Sequence, residues 1–167
     1  MKKIFVSMLI LISILLCACG KDDIKLPEQV TYYNNMSVVG LAVNAEEELP
    51  NHPEFISIAE EVLGEVGGIA LPLCESYVAK KAEEDDRLDE YGIFHCAEGK
   101  SVDALYQSVL DYVNTRKNDQ ATLSHYEDAA TVKNGKIALY GNYVVYTFLP
   151  DNGNNQFHTL VESLLTE

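Results

Sequence analysis

The sequence predicts an α+β fold in which helices pack on one antiparallel sheet of about four strands. Two pairs of strand-like segments are each joined by a short connection, which is typical of β-hairpins. Segments with apolar residues at helical spacing precede, separate and follow the two pairs. The resulting order is αββαββα, and hairpins separated by helices favour an antiparallel sheet over parallel βαβ units.

The first helix is predicted at 52–66. Asn51 precedes it as an N-cap, and Gly67 and Gly68 end it, because glycine tolerates the left-handed conformation of a helix C-terminus. The apolar residues within it recur at helical spacing: Phe55, Ala59, Val62, Leu63 and Val66. The stretch before this helix has a mixed pattern, in which we expect a short strand at 38–43.

Two hairpins form the predicted sheet. The first pairs strands 75–82 and 91–97 across the acidic connection 83–90. The second pairs strands 136–140 and 143–149 around a two-residue turn. The last strand carries β-branched and aromatic residues on both faces, which predicts a central position in the sheet.

Two further helices are predicted, at 101–117 and 154–166, with a single helical turn at 124–127. Ser101 is expected to cap the first of them. Arg116 lies in its last turn, where a cation interacts favourably with the helix dipole.

The composition is that of one acidic globular domain. The chain has 167 residues, 26 of them acidic and 12 basic, with a net charge of −14. This balance excludes a nucleic-acid binder that works through a basic surface. The sequence contains no glycine-rich phosphate loop and no zinc-ligand spacing, so neither a cofactor nor a metal is expected.

Residues 1–18 have the pattern of a bacterial export signal. Two lysines precede an apolar run of 13 residues, which is shorter than the roughly 20 residues of a membrane-spanning helix. The sequence Leu16-Cys17-Ala18-Cys19 then resembles the lipobox of bacterial lipoproteins. The resemblance implies cleavage before Cys19 and a diacylglyceryl thioether on its sulfur, which would anchor the chain to a membrane.

Two alternatives to this interpretation are an ordinary secretory signal with an incidental cysteine and a short transmembrane anchor. The charged segment 21–23 that follows at once disfavours a transmembrane anchor. As a lipoprotein, the chain has its lipidated cysteine and a polar tether at 19–31 and a single α+β domain at 32–167. We then expect it at the extracytoplasmic face of the cell membrane.

Several patterns carry a resemblance to a known family. They are Tyr-Gly-Ile-Phe at 91–94, a helix ending near Arg116, Tyr-Gly-Asn-Tyr at 140–143 before an apolar strand, and the lipobox. From about residue 74 to the end, the chain resembles a family of small uncharacterised lipoproteins of low-GC Gram-positive bacteria, domain of unknown function four-three-five-eight. The resemblance implies location and architecture, and it transfers no active site.

Cys74 and Cys96 are candidates for a disulfide. A disulfide is chemically allowed outside the membrane, and in the predicted hairpin Cys96 lies across from residues 74–77. The alternative is two buried thiols that pack as small apolar residues, and we favour this alternative.

Other reactive groups have structural interpretations. The acidic cluster of the first hairpin lacks the glycine or asparagine that would bend the chain around Ca²⁺, so we expect a solvated tip at Glu83, Glu84, Asp85, Asp86, Asp89 and Glu90. Residues 151–155 are faintly similar to a Ca²⁺ loop, but a turn and a helix cap explain them.

The scattered histidines are expected in structural or surface roles: His52, His95, His125 and His158. The ten tyrosines either form a stacking surface for sugars or peptides or fill the edge of the core, which is more usual.

Two functions from different classes remain. The first is a non-catalytic lipoprotein domain that binds an unknown protein or small molecule, with the membrane contacted through Cys19. The second is a small cell-envelope hydrolase whose catalytic residues no motif reveals. We favour the first, because catalysis usually draws on histidine, cysteine or paired carboxylates in a recognisable context, and the sequence identifies no catalytic residue.

Overall fold

A computed structural model describes residues 30–150 and 152–166 of the chain. The predicted α+β class is confirmed, with an antiparallel sheet and helices packed on it. The strands β1 to β5 are Phe55–Ser57, Cys74–Ala82, Glu90–Cys96, Lys136–Tyr140 and Tyr143–Phe148. The α-helices α1 to α5 are Val38–Glu47, Val102–Asn118, Gln120–Leu123, Ala129–Lys133 and Gly153–Thr166.

The five strands lie in the order β1-β2-β3-β5-β4, and all neighbours are antiparallel. Both predicted hairpins form, since β2 pairs with β3 and β4 pairs with β5. Every residue of β3 and β5 is buried. The predicted central position of strand 143–149 is therefore confirmed, and it follows from apolar side chains that meet helices on both faces.

Helices cover both faces of the sheet. On the α2 face, Phe94 and Tyr146 pack with Leu105 of α2 in one core. On the α1/α5 face, Tyr91 and Val145 pack with α1 and α5 in a second core. Neighbouring residues of one strand thus belong to different cores, because side chains alternate across a strand.

The predicted helix at 52–66 is wrong. Phe55–Ser57 forms the edge strand β1 instead, paired with the end of β2, and the ring of Phe55 lies 5.3 Å from that of Tyr91. Asn51 has φ 55°, whereas an N-cap residue needs an extended backbone. Within this stretch only residues 60–66 are helical, with a π-helical turn at Val62–Val66, and this short segment buries only Leu63. Pairing with β2 has outweighed a weak helical pattern.

The short strand expected at 38–43 is also wrong, because this segment belongs to helix α1. Ser37 caps the helix, its hydroxyl accepting from the backbone N–H of Gly40 at 3.4 Å. The buried residues recur at helical spacing: Val38, Leu41, Ala42 and Ala45. This stripe consists largely of alanine and valine, so it becomes evident only when the sheet that it covers is in place.

The two later helices are confirmed within a residue or two of their predicted ends. Ser101 caps α2, with its hydroxyl accepting from the N–H of Ala104 at 3.2 Å. The single turn expected at 124–127 is displaced, since the short helices α3 and α4 lie on either side of it. Asp119 caps α3 through the N–H of Thr122, at 3.0 Å, so the helical turn starts earlier than predicted.

Candidate functional site

The predicted lipidation site, Cys19, lies outside the described residues, together with the signal peptide 1–18 and most of the tether 19–31. Asp151 lies outside them too. Within 30–150 and 152–166, no helix has the length and apolar character that crossing a membrane requires. The described part of the chain also holds no group of three or more histidine, cysteine or acidic residues that could bind a metal ion.

The structure brings Cys74 and Cys96 together as cross-strand partners in the β2–β3 hairpin. Cys96 is buried and Cys74 is partly exposed, and both are free thiols. Both pack against the core of the α2 face. Burial, and secondarily the nearby sulfur of Cys96, raises the pKa of the Cys74 thiol to about 12.

The acidic cluster of the first hairpin divides into two parts. Residues 83–86 are exposed, as expected for a solvated tip. Asp89 and Glu90 are each only 2% exposed, which corrects the prediction for these two residues. Arg87 donates to both carboxylate oxygens of Asp89, through Nε and Nη2 at 3.0 Å each. A buried carboxylate needs such a partner to offset its desolvation.

Glu90 is the centre of a buried polar network on the α2 face. Its Oε1 accepts from the hydroxyls of Tyr112 at 2.5 Å and Tyr146 at 2.7 Å, and Oε2 accepts from Nη1 of Arg116 at 2.9 Å. Gly92 makes room for this network, because a Cβ there would lie 2.4 Å from the Tyr146 ring. Both carboxylate oxygens are therefore engaged within the domain, which is typical of a structural network.

The tyrosines of this network keep their protons at neutral pH. Burial, followed by the charge of Glu90, raises the pKa of Tyr112 and of Tyr146. Tyr91, Tyr143 and Tyr146 are fully buried, so the alternative in which tyrosines fill the core is confirmed for them.

The four histidines lie apart from one another. His95 stacks on Tyr143, with 4.4 Å between ring centroids, and its Nδ1 lies 3.4 Å from Glu75. His158 is buried against Tyr140, and His125 is exposed. His52 is exposed as well, but it lines the cavity that forms the best candidate site.

This cavity, which we call the α5 cavity, has a volume of about 330 Å³ and lies beside the N-terminus of α5. The connection from α1 to β1, the connection from β5 to α5, and the pair Arg87–Asp89 converge on it. Leu49, Pro50, Leu149 and Pro150 supply apolar wall, and Asn51, His52, Asn152 and Gln156 supply polar groups. An apolar cleft with a few convergent polar groups is the usual form of a small-molecule site.

The polar groups of the α5 cavity suit an uncharged ligand. Arg87 and Asp89 neutralise each other, while amide side chains both donate and accept hydrogen bonds. The Nδ1 of His52 lies 2.8 Å from the carbonyl oxygen of Pro53. Because a carbonyl only accepts, Nδ1 carries the proton of the neutral ring, and Nε2 remains as an acceptor.

A second cavity, of about 300 Å³, lies on the other side of the Arg87–Asp89 pair and is lined by charged residues. Arg116 and Glu90 also line it, and these two are already paired with each other. Two of its charged pairs, Arg87–Asp89 and Arg116–Glu90, are thus already formed within the domain, whereas the amide groups of the α5 cavity lie at an apolar wall.

The α5 cavity is remote from the end where the chain joins the domain. The backbone N–H of Tyr33 donates to the carbonyl oxygen of Leu165 at 2.7 Å, in the last turn of α5. The Gly153 end of the same helix lines the cavity. At 1.5 Å per residue, about 18 Å of helix separates the two ends. Tyr33 and the α5 cavity thus lie at opposite ends of α5.

Sequence reasoning missed this site for a physical reason. Its lining comes from segments about 100 residues apart, and the sequence pattern around Asn51 predicts a helix cap there instead. One signal was available: Pro150 and Gly153 mark a loop before a helix, where ligand-binding residues are common.

Comparison with family models, curated proteins and solved structures gave no match to this chain. The resemblance to the small-lipoprotein family therefore stays a prediction.

Proposed function

We propose that this chain is a membrane-anchored extracytoplasmic lipoprotein whose domain binds a small, uncharged polar ligand without converting it. The observation that carries the proposal is the α5 cavity, where three separate parts of the chain build one concave surface. The lipobox at Cys19 supplies the anchor, and the cavity lies at the opposite end of α5 from Tyr33.

The size and lining of the α5 cavity define the ligand class. A volume of about 330 Å³ fits a molecule with the dimensions of a monosaccharide or of a dipeptide whose termini are blocked and uncharged. Such molecules carry hydroxyl or amide groups that pair with the side chains of Asn51, Asn152 and Gln156, and carbon faces that pack on proline and leucine.

The binding test uses a variant that fills the cavity. Gln156→Trp places an indole in the lining from an exposed helix position, and Thr159→Trp is the matched control on an exposed position of the same helix outside the cavity. Monosaccharides and dipeptides with acetylated and amidated termini are screened by thermal shift and then by calorimetry. We expect a ligand whose affinity falls about tenfold or more in Gln156→Trp and stays unchanged in Thr159→Trp.

Three results would contradict the binding proposal. They are the absence of binding by any compound of the panel, equal affinity in both tryptophan variants, and conversion of a bound compound into product on chromatography. The last result would instead support the hydrolase alternative.

The anchor is tested separately, by fractionating cells that express the full chain. Cys19→Ala is expected to leave the membrane fraction and to lose the acylated N-terminus that mass spectrometry detects in the parent. Cys17→Ala is the matched control, and it should stay lipidated. Equal membrane association and processing of the Cys19→Ala variant would show that the lipoprotein assignment is wrong.

A further inference from the structure

The backbone around Cys74 and Cys96 places these two residues in a close, non-hydrogen-bonded pair. The N–H of Ala97, one residue after Cys96, donates to the carbonyl oxygen of Leu73, one residue before Cys74, at 2.9 Å. The N–H of Cys96 itself points to the other neighbouring strand and donates to Asn142 at 2.9 Å. In an antiparallel ladder this pattern flanks a pair whose Cα atoms are about 4.5 Å apart.

The two side chains also share a face of the sheet. Cys96 packs in the core of the α2 face, and Cys74 packs against the same core. A disulfide needs Cα atoms roughly 4.4–6.8 Å apart and Cβ vectors that converge. Cys74 and Cys96 are paired across the strands and pack at the same core, and a β-bulge between Cys74 and Ser76 follows the pair in β2.

We propose that Cys74 and Cys96 form a cross-strand disulfide that closes the open end of the β2–β3 hairpin. The inference rests on the proposed extracytoplasmic location for its oxidant, a thiol–disulfide oxidoreductase in its disulfide form. One cysteine thiolate attacks the oxidant's disulfide, which gives a mixed disulfide and releases one thiol of the oxidant. The second cysteine thiolate attacks the sulfur of the first and releases the other thiol. The hairpin is thereby oxidised by two electrons, and the oxidant becomes a dithiol.

The surroundings of the two sulfurs determine whether the disulfide forms before or after α2 packs on the sheet. Burial raises the pKa of both thiols, and Cys96 is only 3% exposed, so in the finished domain few thiolates exist and access is poor. Oxidation therefore precedes the packing of α2 over this end of the hairpin. Once formed, the disulfide is shielded from reducing agents by the same packing.

The closed hairpin would hold β3, which carries two buried polar residues, Glu90 and His95. β3 contains Glu90 and is the partner of both β2 and β5. Its connection to β2 at residues 83–89 closes one end of the hairpin, and the disulfide would close the other. A cross-link over a loop of this length restricts the unfolded chain strongly.

The test uses the full chain with Cys17→Ser and Cys19→Ser, in which Cys74 and Cys96 are the only cysteines. The protein is unfolded in reductant, refolded with oxidised and reduced glutathione as the oxidant, alkylated in denaturant and digested with trypsin. Trypsin cuts between the two cysteines, after Lys80 and Arg87, so only a disulfide joins their peptides. We expect the joined peptide, and a Tm about 10 °C lower for protein that is refolded and melted in reductant than for protein refolded with oxidised glutathione.

The matched control adds Cys74→Ser, and its Tm should not respond to reductant. Alkylation of both cysteines after refolding, with no effect of reductant on Tm, would overturn the proposal. Because the glutathione experiment does not depend on location, its failure is distinct from a failure of the anchor test with Cys19→Ala. In the folded, reduced protein both buried thiols should react slowly with an alkylating agent. Fast alkylation would overturn the inference that the disulfide forms before α2 packs, but not the disulfide itself.

Discussion

Two groups of buried polar side chains, one on each face of the sheet, differ in how completely their atoms are paired. On the α2 face, both carboxylate oxygens of Glu90 accept hydrogen bonds, from two tyrosine hydroxyls and from Arg116. On the α1/α5 face, Nδ1 of His158 is bonded to the hydroxyl of Tyr140 at 3.0 Å, while its Nε2 is buried without a partner among the described residues. Thr147, whose hydroxyl is likewise buried and unpaired within that part of the chain, alternates onto the same face.

The difference predicts that mutations in the fully paired network lower the free energy of unfolding, and that removal of an unpaired buried group can raise it. A network whose members all have partners loses most when one member is removed, because the others are left buried and unpaired. A group that is buried with an unpaired polar atom already destabilises the folded state. Removing that atom should therefore raise the free energy of unfolding, and giving the group a charge by protonation should lower it.

The largest effect is expected at Glu90. Glu90→Leu leaves Arg116 without its carboxylate and removes the acceptor of two hydroxyls, so the free energy of unfolding should fall by about 3–4 kcal/mol. Urea unfolding measures this loss. Adding Arg116→Met removes the unpaired cation and should recover part of it, and Glu84→Gln on the exposed tip should change little. A loss below about 1 kcal/mol would mean that the network is not a source of stability.

The next effect is a dependence of stability on pH through His158. Burial, followed by the charge of Lys136, lowers the pKa of His158 from 6.5 to about 4. Between these values the unfolded chain binds a proton that the folded chain does not bind, so acid favours unfolding. The contribution is complete above pH 6.5 and declines as pH falls, by about 3 kcal/mol in total at pH 4.

Urea unfolding at pH values from 7 to 4, with His158→Gln as the comparison, isolates this effect. The variant cannot titrate at this position, so its stability should decline less than that of the parent over the same range. Parallel pH profiles for the two proteins would show that His158 is protonated as readily in the folded as in the unfolded chain.

The smallest effect is a gain at Thr147. Thr147→Val keeps the β-branched shape and removes a hydroxyl that is buried without a partner, so the free energy of unfolding should rise by about 1 kcal/mol. Thr147→Ser is the matched control, which keeps the hydroxyl, loses a methyl group and should be about 1 kcal/mol less stable. A loss of stability in Thr147→Val on thermal unfolding would indicate that the hydroxyl has a partner.

The elements predicted correctly are those whose signals are local. Ser101 with the apolar stripe after it predicts α2, and the apolar residues on both faces of 143–149 predict a central strand. A serine cap, a two-residue turn and a strand buried on both sides depend on residues close in the chain, so they can be identified without knowledge of the fold.

The sequence by itself thus determined the α+β class, the two hairpins, helices α2 and α5, and the alignment that brings Cys74 to Cys96. Only the tertiary structure decided that 55–57 is a strand, because its pairing partner is the end of β2. It also decided that Glu90 is buried, since Arg116, Tyr112 and Tyr146 come from distant parts of the chain. The α5 cavity likewise exists only where separate connections converge. Short-range signals choose helices and turns, whereas burial and partners depend on contacts that form when the whole sheet is assembled.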